Sequence, residues 1–258
     1  MSAEHLFISD VHLGAHPPKK EAEIEHSLIC LIKYAIRNKA KLYVLGDLFD
    51  YWMEFPNSDF IPQVGKPVLE AFKNYNTEVG QCLFVTGNHD NWTRGYFKSL
   101  GFDVEPNFRS LQIFDRNVLV MHGDGHWQNH PSLSRPLLHR ILRSKLFLMV
   151  YQGILPKSVA INLMRLFSNT TRKIDDKDPN PLNNNAKFIL EQSEVNVVLS
   201  GHDHIPRVET FNSGLYINLG TFFHHGTLVR GFENSFDLVH WDAESSTFTS
   251  FEKHHQHS

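Results

Sequence analysis

The chain has 258 residues, of which 41% are hydrophobic and 21% are charged, and its formal net charge is −3. These values are ordinary for a globular protein with a sizeable core, and they argue against nucleic acid as a partner. Cys30 and Cys82 lie far apart in the sequence, which indicates buried thiols rather than a disulfide framework. The apolar start lacks the basic segment of a signal peptide, and no uncharged apolar run is long enough to cross a bilayer. We therefore expect a cytoplasmic protein.

The N-terminal half alternates strands with helices of 3.6-residue periodicity. In chain order the predicted elements are the strand Leu6–Ser9, the helix Glu21–Asn38, the strand Leu42–Leu45, the helix Val64–Tyr75, the strand Gln81–Thr86 and the helix Trp92–Leu100. Such alternation predicts a parallel sheet.

From Phe102 onward the pattern changes to short strands, interrupted by a long helical insertion. The predicted strands are Ser110–Phe114, Val118–Met121, Val195–Leu199, Val208–Phe211, Leu215–Leu219, Ser235–Trp241 and Thr247–Phe251. The predicted organisation is an α/β core of residues 1–124 and 194–258, with residues 125–193 inserted as a helical cap.

Five short polar motifs each follow a predicted strand. They are Asp10-Val11-His12, Gly46-Asp47-Leu48-Phe49-Asp50, Gly87-Asn88-His89-Asp90, His122-Gly123-Asp124 and Gly201-His202-Asp203-His204. Open α/β sheets bind their ligands at strand ends, and residues two apart can direct a carboxylate and an imidazole at one cation. Each motif alone is typical of an ordinary turn. Together they predict a metal centre with nitrogen and oxygen donors, which suits Mn, Fe, Zn or Co.

The five motifs resemble the signature of the calcineurin-like metallophosphoesterases over residues 10–204. The resemblance implies a four-layer αββα sandwich and two divalent metal ions, with manganese expected and iron or zinc as alternatives. The implied ligands are Asp10, His12, Asp47 and His204 for the first metal, and Asp47 (bridging), Asn88, His122 and His202 for the second.

The resemblance also implies roles for two residues beside the metals. His89 would donate to the transferring phosphoryl oxygens or to the leaving group, and Asp50 would orient and charge His89. Capping of a helix N-terminus is the open alternative for Asp50. The cations would provide hydroxide at neutral pH and neutralise phosphoryl charge, so the implied reaction is hydrolysis of a phosphate ester or anhydride.

Within this superfamily, the length and the insertion resemble the UDP-2,3-diacylglucosamine pyrophosphatase family of the lipid A pathway. Ser168, Asn169 and Arg172 match residues that contact the sugar and phosphate in that family, and Asn88 is expected to contact substrate as well. That family usually has arginine at the position of His89, and the acidic residue expected after the fourth motif has no match here. The expected products are UMP and 2,3-diacylglucosamine 1-phosphate. The alternatives are hydrolysis of another nucleotide or small phosphoester, and a non-catalytic metal-binding scaffold.

The first part of the insertion carries an apolar stripe with interleaved basic residues. The apolar residues are Leu137, Leu138, Ile141, Leu142, Leu146, Met149 and Val150, and the basic ones are Arg135, His139, Arg140, Arg143 and Lys145. A basic amphipathic helix can lie on an anionic membrane surface and admit acyl chains between its neighbours. Simple packing on the core is the alternative. We therefore expect a nucleotide-lipid substrate and peripheral contact with the inner membrane. The sequence does not indicate the oligomeric state.

Overall fold

The computed structural model describes residues 3–55, 62–125, 135, 137–164 and 178–251. In these ranges the strands form two sheets, the first with seven strands. Its strands are β1 (His5–Ile8), β2 (Lys41–Leu45), β3 (Leu83–Val85), β4 (Asp103–Glu105), β10 (Thr227–Phe232), β11 (Ser235–Asp242) and β12 (Thr247–Ser250). The order is β12-β11-β10-β1-β2-β3-β4. Strands β1 to β4 are parallel, whereas β10 to β12 extend the sheet in antiparallel pairs.

The second sheet has five strands in the order β5-β6-β7-β9-β8. They are β5 (Phe108–Ile113), β6 (Arg116–Met121), β7 (Val197–Ser200), β8 (Arg207–Phe211) and β9 (Gly214–Asn218). Strands β6, β7 and β9 are parallel, and β5 and β8 pair antiparallel with β6 and β9. The predicted parallel pairing is therefore present in both sheets.

Alternate side chains of β1 point to opposite faces of the first sheet, as the period of two requires. Phe7 joins a buried cluster between the two sheets, whereas Leu6 and Ile8 join the cluster beneath the helices. Val120 of β6 and Leu199 of β7 meet Phe7 in the inter-sheet cluster. Because these strands are buried on both faces, their sequences read as continuous apolar runs.

Helices pack on the outer faces of both sheets and on the loops that follow β2 and β3. They are α1 (Pro18–Asn38), α2 (Lys66–Glu78), α3 (Tyr96–Ser99), α4 (Leu137–Leu142), α5 (Lys145–Ile154), α6 (Asn180–Gln192) and α7 (Phe222–His225). Leu28 of α1 and Phe72 of α2 pack on the first sheet, and Ile189 of α6 packs on the second sheet beside Tyr216. The layers are thus helix, sheet, sheet and helix, so the predicted αββα sandwich is confirmed.

The helices α4 and α5, together with helical residues 157–164, pack on the loops that follow β2 and β3. The Trp92 indole Nε1 donates a 2.7 Å hydrogen bond to the Leu142 carbonyl, and Gln152 Nε2 donates one of 2.8 Å to the Glu54 carbonyl. The division into core and cap stays a prediction. Within the predicted cap range, α6 packs on the second sheet.

Several element boundaries differ from the sequence-based prediction. The predicted helix Trp92–Leu100 is only the short α3, which begins after Gly95 at a φ of 136°. The prediction also missed β4, β10 and α7. These elements are three to six residues long, and their place depends on pairing with distant strands or on adjacent turns. Among the helices of the described residues, none combines the length and apolar character needed to span a bilayer.

Candidate metal centre

The candidate ligands lie just beyond the carboxyl ends of parallel strands in both sheets. Strand β1 leads to Asp10 and His12, β2 to Asp47, β3 to Asn88, β6 to His122, and β7 to His202 and His204. The first three strands belong to one sheet and the last two to the other. The inter-sheet apolar cluster therefore brings two sets of strand ends together at one edge of the sandwich.

Ten described residues other than glycine have positive φ, and five of them are candidate ligands. These are Asp10 and His12 (both 52°), Asp47 (51°), His202 (80°) and His204 (63°). Left-handed backbone is uncommon for residues with a Cβ, although Asp and His tolerate it better than most. Its concentration at one site is typical of a functional centre whose side chains are held in place by the surrounding fold.

Two glycines allow the motif loops to approach one another closely. A Cβ atom on Gly87 would collide with the Asp47 carboxylate, and one on Gly201 would collide with Ser9 and Asp10. Any other residue at these positions would displace a candidate ligand. The glycines that precede Asn88 and His202 are thus part of the packing of the site.

One group of possible ligands consists of Asp10, His12 and His204. Asp10 Oδ1 is 3.2 Å from His204 Nε2 and 3.7 Å from His12 Nε2, and the two Nε2 atoms are 3.2 Å apart. The other carboxylate oxygen of Asp10 accepts hydrogen bonds from Ser9 Oγ (2.5 Å) and the His202 amide (3.0 Å). Asp10 Oδ1 is buried and has no hydrogen-bond partner among the described residues. Such an orphaned oxygen beside two imidazoles fits a divalent cation.

A second group surrounds His122. Its Nε2 atom is 2.9 Å from Asn88 Oδ1 and 3.3 Å from Asp47 Oδ2, while its Nδ1 donates to the Leu45 carbonyl at 2.9 Å. Burial lowers the pKa of His122, but the Asp47 carboxylate outweighs it and raises the pKa to about 10. Without a cation, a proton on Nε2 would lie between these two acceptor oxygens. A cation that bound there would replace this proton.

Asp47 lies between the two groups. Its Oδ2 atom is 3.3 Å from His122 Nε2 and 3.8 Å from His12 Nε2. The His202 ring completes the second group, with its centroid 5.0 Å from that of His122. Burial and the neighbouring His122 lower the pKa of His202 to about 4, so this imidazole is neutral and can act as a ligand. The donor set of carboxylate, imidazole and amide oxygen fits two divalent cations that share Asp47.

His89 is held at the edge of the site by its neighbours. Its amide donates to Asp47 Oδ1 at 2.9 Å, and its Nδ1 donates to the backbone carbonyl of Asp50 at 2.7 Å. The Asp50 carboxylate oxygen Oδ1 is 3.8 Å from His89 Nδ1 but 3.4 Å from His12 Nδ1. Burial lowers the pKa of His89. The backbone carbonyl of Asp50 is therefore closer to His89 Nδ1 than the Asp50 carboxylate is.

The alternative role for Asp50, as a helix N-cap, is wrong, because residues 51–55 are not helical. The three cap residues predicted to contact substrate, Ser168, Asn169 and Arg172, lie outside the described residues.

Sequence reasoning gave no role to Asp90, which organises the loops around Asp47. The Asp90 carboxylate accepts hydrogen bonds from the amides of Leu48 (2.7 Å), Phe49 (3.3 Å) and Gly87 (2.7 Å). Burial and Asp47 raise the pKa of Asp90 to about 7. Its position at the end of the third motif was the available signal.

Asn218 has a similar role on the other side of the site. Its Nδ2 donates to the Gly201 carbonyl at 2.7 Å, and its Oδ1 accepts from the Gly220 amide at 2.9 Å. These bonds tie the end of β9 to the loop that carries His202. A polar residue at the end of an apolar strand was the available signal for Asn218.

Comparison with known proteins is consistent with this geometry. The family model described as calcineurin-like phosphoesterase matches residues 5–206. A UDP-2,3-diacylglucosamine hydrolase of Wigglesworthia glossinidia brevipalpis is 29% identical over 95% of this chain and 97% of its own length. The enzyme of the same name from Photorhabdus laumondii is 26% identical over 91% of this chain and 97% of its own length.

Among solved structures, a phosphoesterase from E. coli aligns with 96% of this chain and 97% of its own, at 13% identity and a TM-score of 0.46. The family model covers most of the chain and all five motifs, so the predicted resemblance is confirmed. The chain therefore belongs to the calcineurin-like phosphoesterase family and is a metal-dependent hydrolase of phosphoric esters or anhydrides.

Proposed function

We propose that this enzyme hydrolyses the pyrophosphate bond of UDP-2,3-diacylglucosamine and releases UMP and 2,3-diacylglucosamine 1-phosphate. The observation that carries the hydrolytic part is the convergence of Asp10, His12, Asp47, His122 and His204 at one edge of the sandwich. The substrate assignment is supported by full-length relatives at 29% and 26% identity that are named for this substrate.

We further propose that the site holds two divalent ions, with manganese as the native metal and iron or zinc as alternatives. The ligands of the first would be Asp10, His12, Asp47 and His204, and those of the second Asp47, Asn88, His122 and His202. When bound, the two cations supply Lewis-acid activation of water and neutralise charge on the phosphoryl oxygens.

His89 would exchange its proton with the substrate at Nε2. Its Nδ1 donates to the Asp50 carbonyl, which can only accept, so Nδ1 keeps its proton throughout. The Nε2 atom lies 4.0 Å from Oδ2 of Asp47, the proposed bridging ligand. Because burial lowers the pKa of His89, the neutral ring must first take up a proton from water at Nε2, and it then donates that proton to a phosphoryl oxygen or to the departing phosphate. General acid assistance of this kind contributes about 10²–10⁴-fold to the rate.

The outer surface of the insertion supports the lipid part of the proposal. Eight large apolar side chains there are 42–73% exposed: Leu137, Ile141, Leu146, Met149, Val150, Ile154, Val159 and Leu163. The exposed basic residues Arg140 and Lys145 lie in the same helices. We propose that this surface rests on the anionic inner membrane at its cytoplasmic face, where the acyl chains of the substrate are anchored. Replacement of both Leu146 and Met149 by serine should reduce sedimentation with phosphatidylglycerol vesicles, and unchanged sedimentation would contradict the membrane role.

A second candidate keeps the same metal chemistry but acts on a soluble nucleotide or another small phosphoester. It is favoured by His89, since the lipid A family usually has arginine at that position. Release of UMP from UDP-2,3-diacylglucosamine should be compared with release from UDP-N-acetylglucosamine and with hydrolysis of bis(p-nitrophenyl) phosphate. Each reaction should be run with Mn²⁺ and with the His122→Ala variant as the control. Preference for the lipid substrate supports the proposal, and turnover of only the soluble substrates would discard it.

A further inference from the structure

Arg143 links the helical insertion to the backbone of the site. It lies between α4 and α5, and its side chain is only 10% exposed. Its Nη2 atom donates to the carbonyls of Gly87 (2.8 Å) and Thr86 (3.1 Å), and its Nη1 donates to the Pro106 carbonyl at 2.8 Å. Its Nε atom donates to Asp124 Oδ2 at 3.0 Å. One guanidinium group thus contacts three backbone carbonyls and a carboxylate.

These contacts join the ends of two strands that belong to different sheets. Thr86 and Gly87 immediately precede Asn88 at the end of β3, and Asp124 comes two residues after His122 at the end of β6. The Oδ1 atom of Asn88 and the Nε2 atom of His122 are only 2.9 Å apart. Since the two strands share no hydrogen-bonded ladder, the distance between these ligands depends on contacts such as those of Arg143.

The ion pair at Asp124 is buried and charged. Asp124 is 4% exposed, and although burial disfavours its charge, Arg143 and Arg135 hold its pKa below the ordinary range. The planar fork of arginine can contact several oxygens at fixed angles, whereas a lysine ammonium is a point charge that cannot span them. Loss of the fork would leave the carbonyl of Gly87 without this donor, next to the Asp47 carboxylate that Gly87 packs against.

A second arginine provides a matched comparison. Arg135 Nε also donates to Asp124 Oδ2, at 3.1 Å, and its other hydrogen bonds reach Asn107 Oδ1 and the Pro106 carbonyl. Both arginines therefore neutralise the same carboxylate. Only Arg143 has described hydrogen bonds to the carbonyls of Thr86 and Gly87, which lead into the third motif.

We infer that Arg143 is a positioning residue that sets the distance between Asn88 and His122. The packing of the insertion on the site thereby determines how well the second metal ion is bound. The hydrogen bond from Trp92 Nε1 to the Leu142 carbonyl also joins the insertion to the loop that follows β3. The inference rests on the metal site proposed above. It assigns to the insertion a part in forming the metal centre, in addition to any contact with substrate.

The test uses the full chain and Mn²⁺ alone, without substrate. Metal-free wild-type protein, R143M, R143K and R135M are titrated with MnCl₂ by calorimetry, and the coupled dimanganese signal is followed by electron paramagnetic resonance. Loss of residues that orient metal ligands weakens metal binding by about 10–100-fold. In R143M we expect the Mn²⁺ affinity of the second site to fall by this factor and the coupled signal to disappear. The first site should keep its affinity. R135M should bind both ions within threefold of wild type.

R143K keeps the charge beside Asp124 but loses the fork, and it should resemble R143M more than wild type. If R143M fails to fold, R143K decides the outcome. Wild-type affinity for both ions in R143K would overturn the inference, as would equal weakening in R143M and R135M, because the charge at Asp124 would then be sufficient. A wild-type protein that bound no manganese would overturn the proposed metal site itself, which separates the two failures.

Discussion

The carboxylate of Asp50 lies closer to His12 than to His89, the residue it was predicted to orient. The Oδ1 atom is 3.4 Å from His12 Nδ1 and 3.8 Å from His89 Nδ1. The Nε2 atom of His12 faces Asp10 and His204 on the opposite side of the ring. Carboxylates in this position commonly orient a metal-binding imidazole through its other nitrogen. Asp50 is therefore placed to orient His12, a proposed ligand of the first metal ion.

Asp50→Asn should therefore weaken the binding of the first Mn²⁺ ion by about 10–100-fold. The amide keeps the shape of the side chain but loses the charge that favours a ring proton on His12 Nδ1. Calorimetric titration of the metal-free variant measures this change. The control is Asp115→Asn, in an exposed turn between β5 and β6. If Asp50→Asn bound both ions normally and only kcat fell, Asp50 would instead act through His89.

His89→Ala should lower kcat by about 10²–10⁴-fold while the protein still binds two metal ions. The reason is that His89 is outside the proposed ligand set, and its Nε2 is the atom available to donate a proton to the substrate. Rates of UMP release and manganese content are measured on the same samples. Full activity in this variant would show that the assigned acid role is wrong.

His5 should make the fold less stable in mild acid. Its Nδ1 hydrogen bonds with the Tyr43 hydroxyl at 2.9 Å, and burial, with a smaller effect of Lys41, lowers its pKa from 6.5 to about 4. Below pH 6.5 the unfolded chain binds a proton at this position that the folded protein does not, so stability falls as the pH falls towards 4. Between pH 7 and pH 5 this titration lowers the free energy of unfolding by about 2 kcal/mol.

His5→Gln should remove this dependence, since glutamine does not titrate and can still reach the Tyr43 hydroxyl. Urea unfolding at pH 7 and pH 5 gives the change in the free energy of unfolding for each protein. The control is His26→Gln at an exposed position of α1, which should behave as wild type. The same loss of stability in His5→Gln and wild type would exclude His5 as the cause.

The positions of the candidate ligands could be predicted because each ligand follows an apolar strand. The carboxyl ends of parallel strands lie at the same edge of a sheet, so the residues that follow them come close together. The direction of the Asp50 carboxylate cannot be predicted from local sequence, because it depends on the turn that follows Asp47, whose φ is 51°. The contact of Arg143 with Gly87 cannot be predicted in this way either, because the two residues are 56 positions apart in the chain. An arginine on an amphipathic stripe has the same sequence pattern whether it faces lipid, water or a buried carboxylate.

Strand β10 shows a similar limit within the fold. Thr227–Phe232 follows a short helix and is placed by antiparallel pairing with β1, more than 200 residues earlier in the chain. Short apolar runs of this kind are ambiguous without their partners. By contrast, α1 is long and strongly amphipathic, and its predicted range differs from the observed one only at its first turn.

The number of manganese ions per chain, measured together with UMP release, is the most direct test of the two-metal phosphoesterase. Wild-type protein loaded with Mn²⁺ and freed of unbound metal should contain two ions per chain and should release UMP from UDP-2,3-diacylglucosamine. His122→Ala should lose one ion and turnover, with the exposed His26→Ala as the control. Wild-type protein with well under one ion per chain and no hydrolysis would contradict the two-metal mechanism and favour a non-catalytic scaffold.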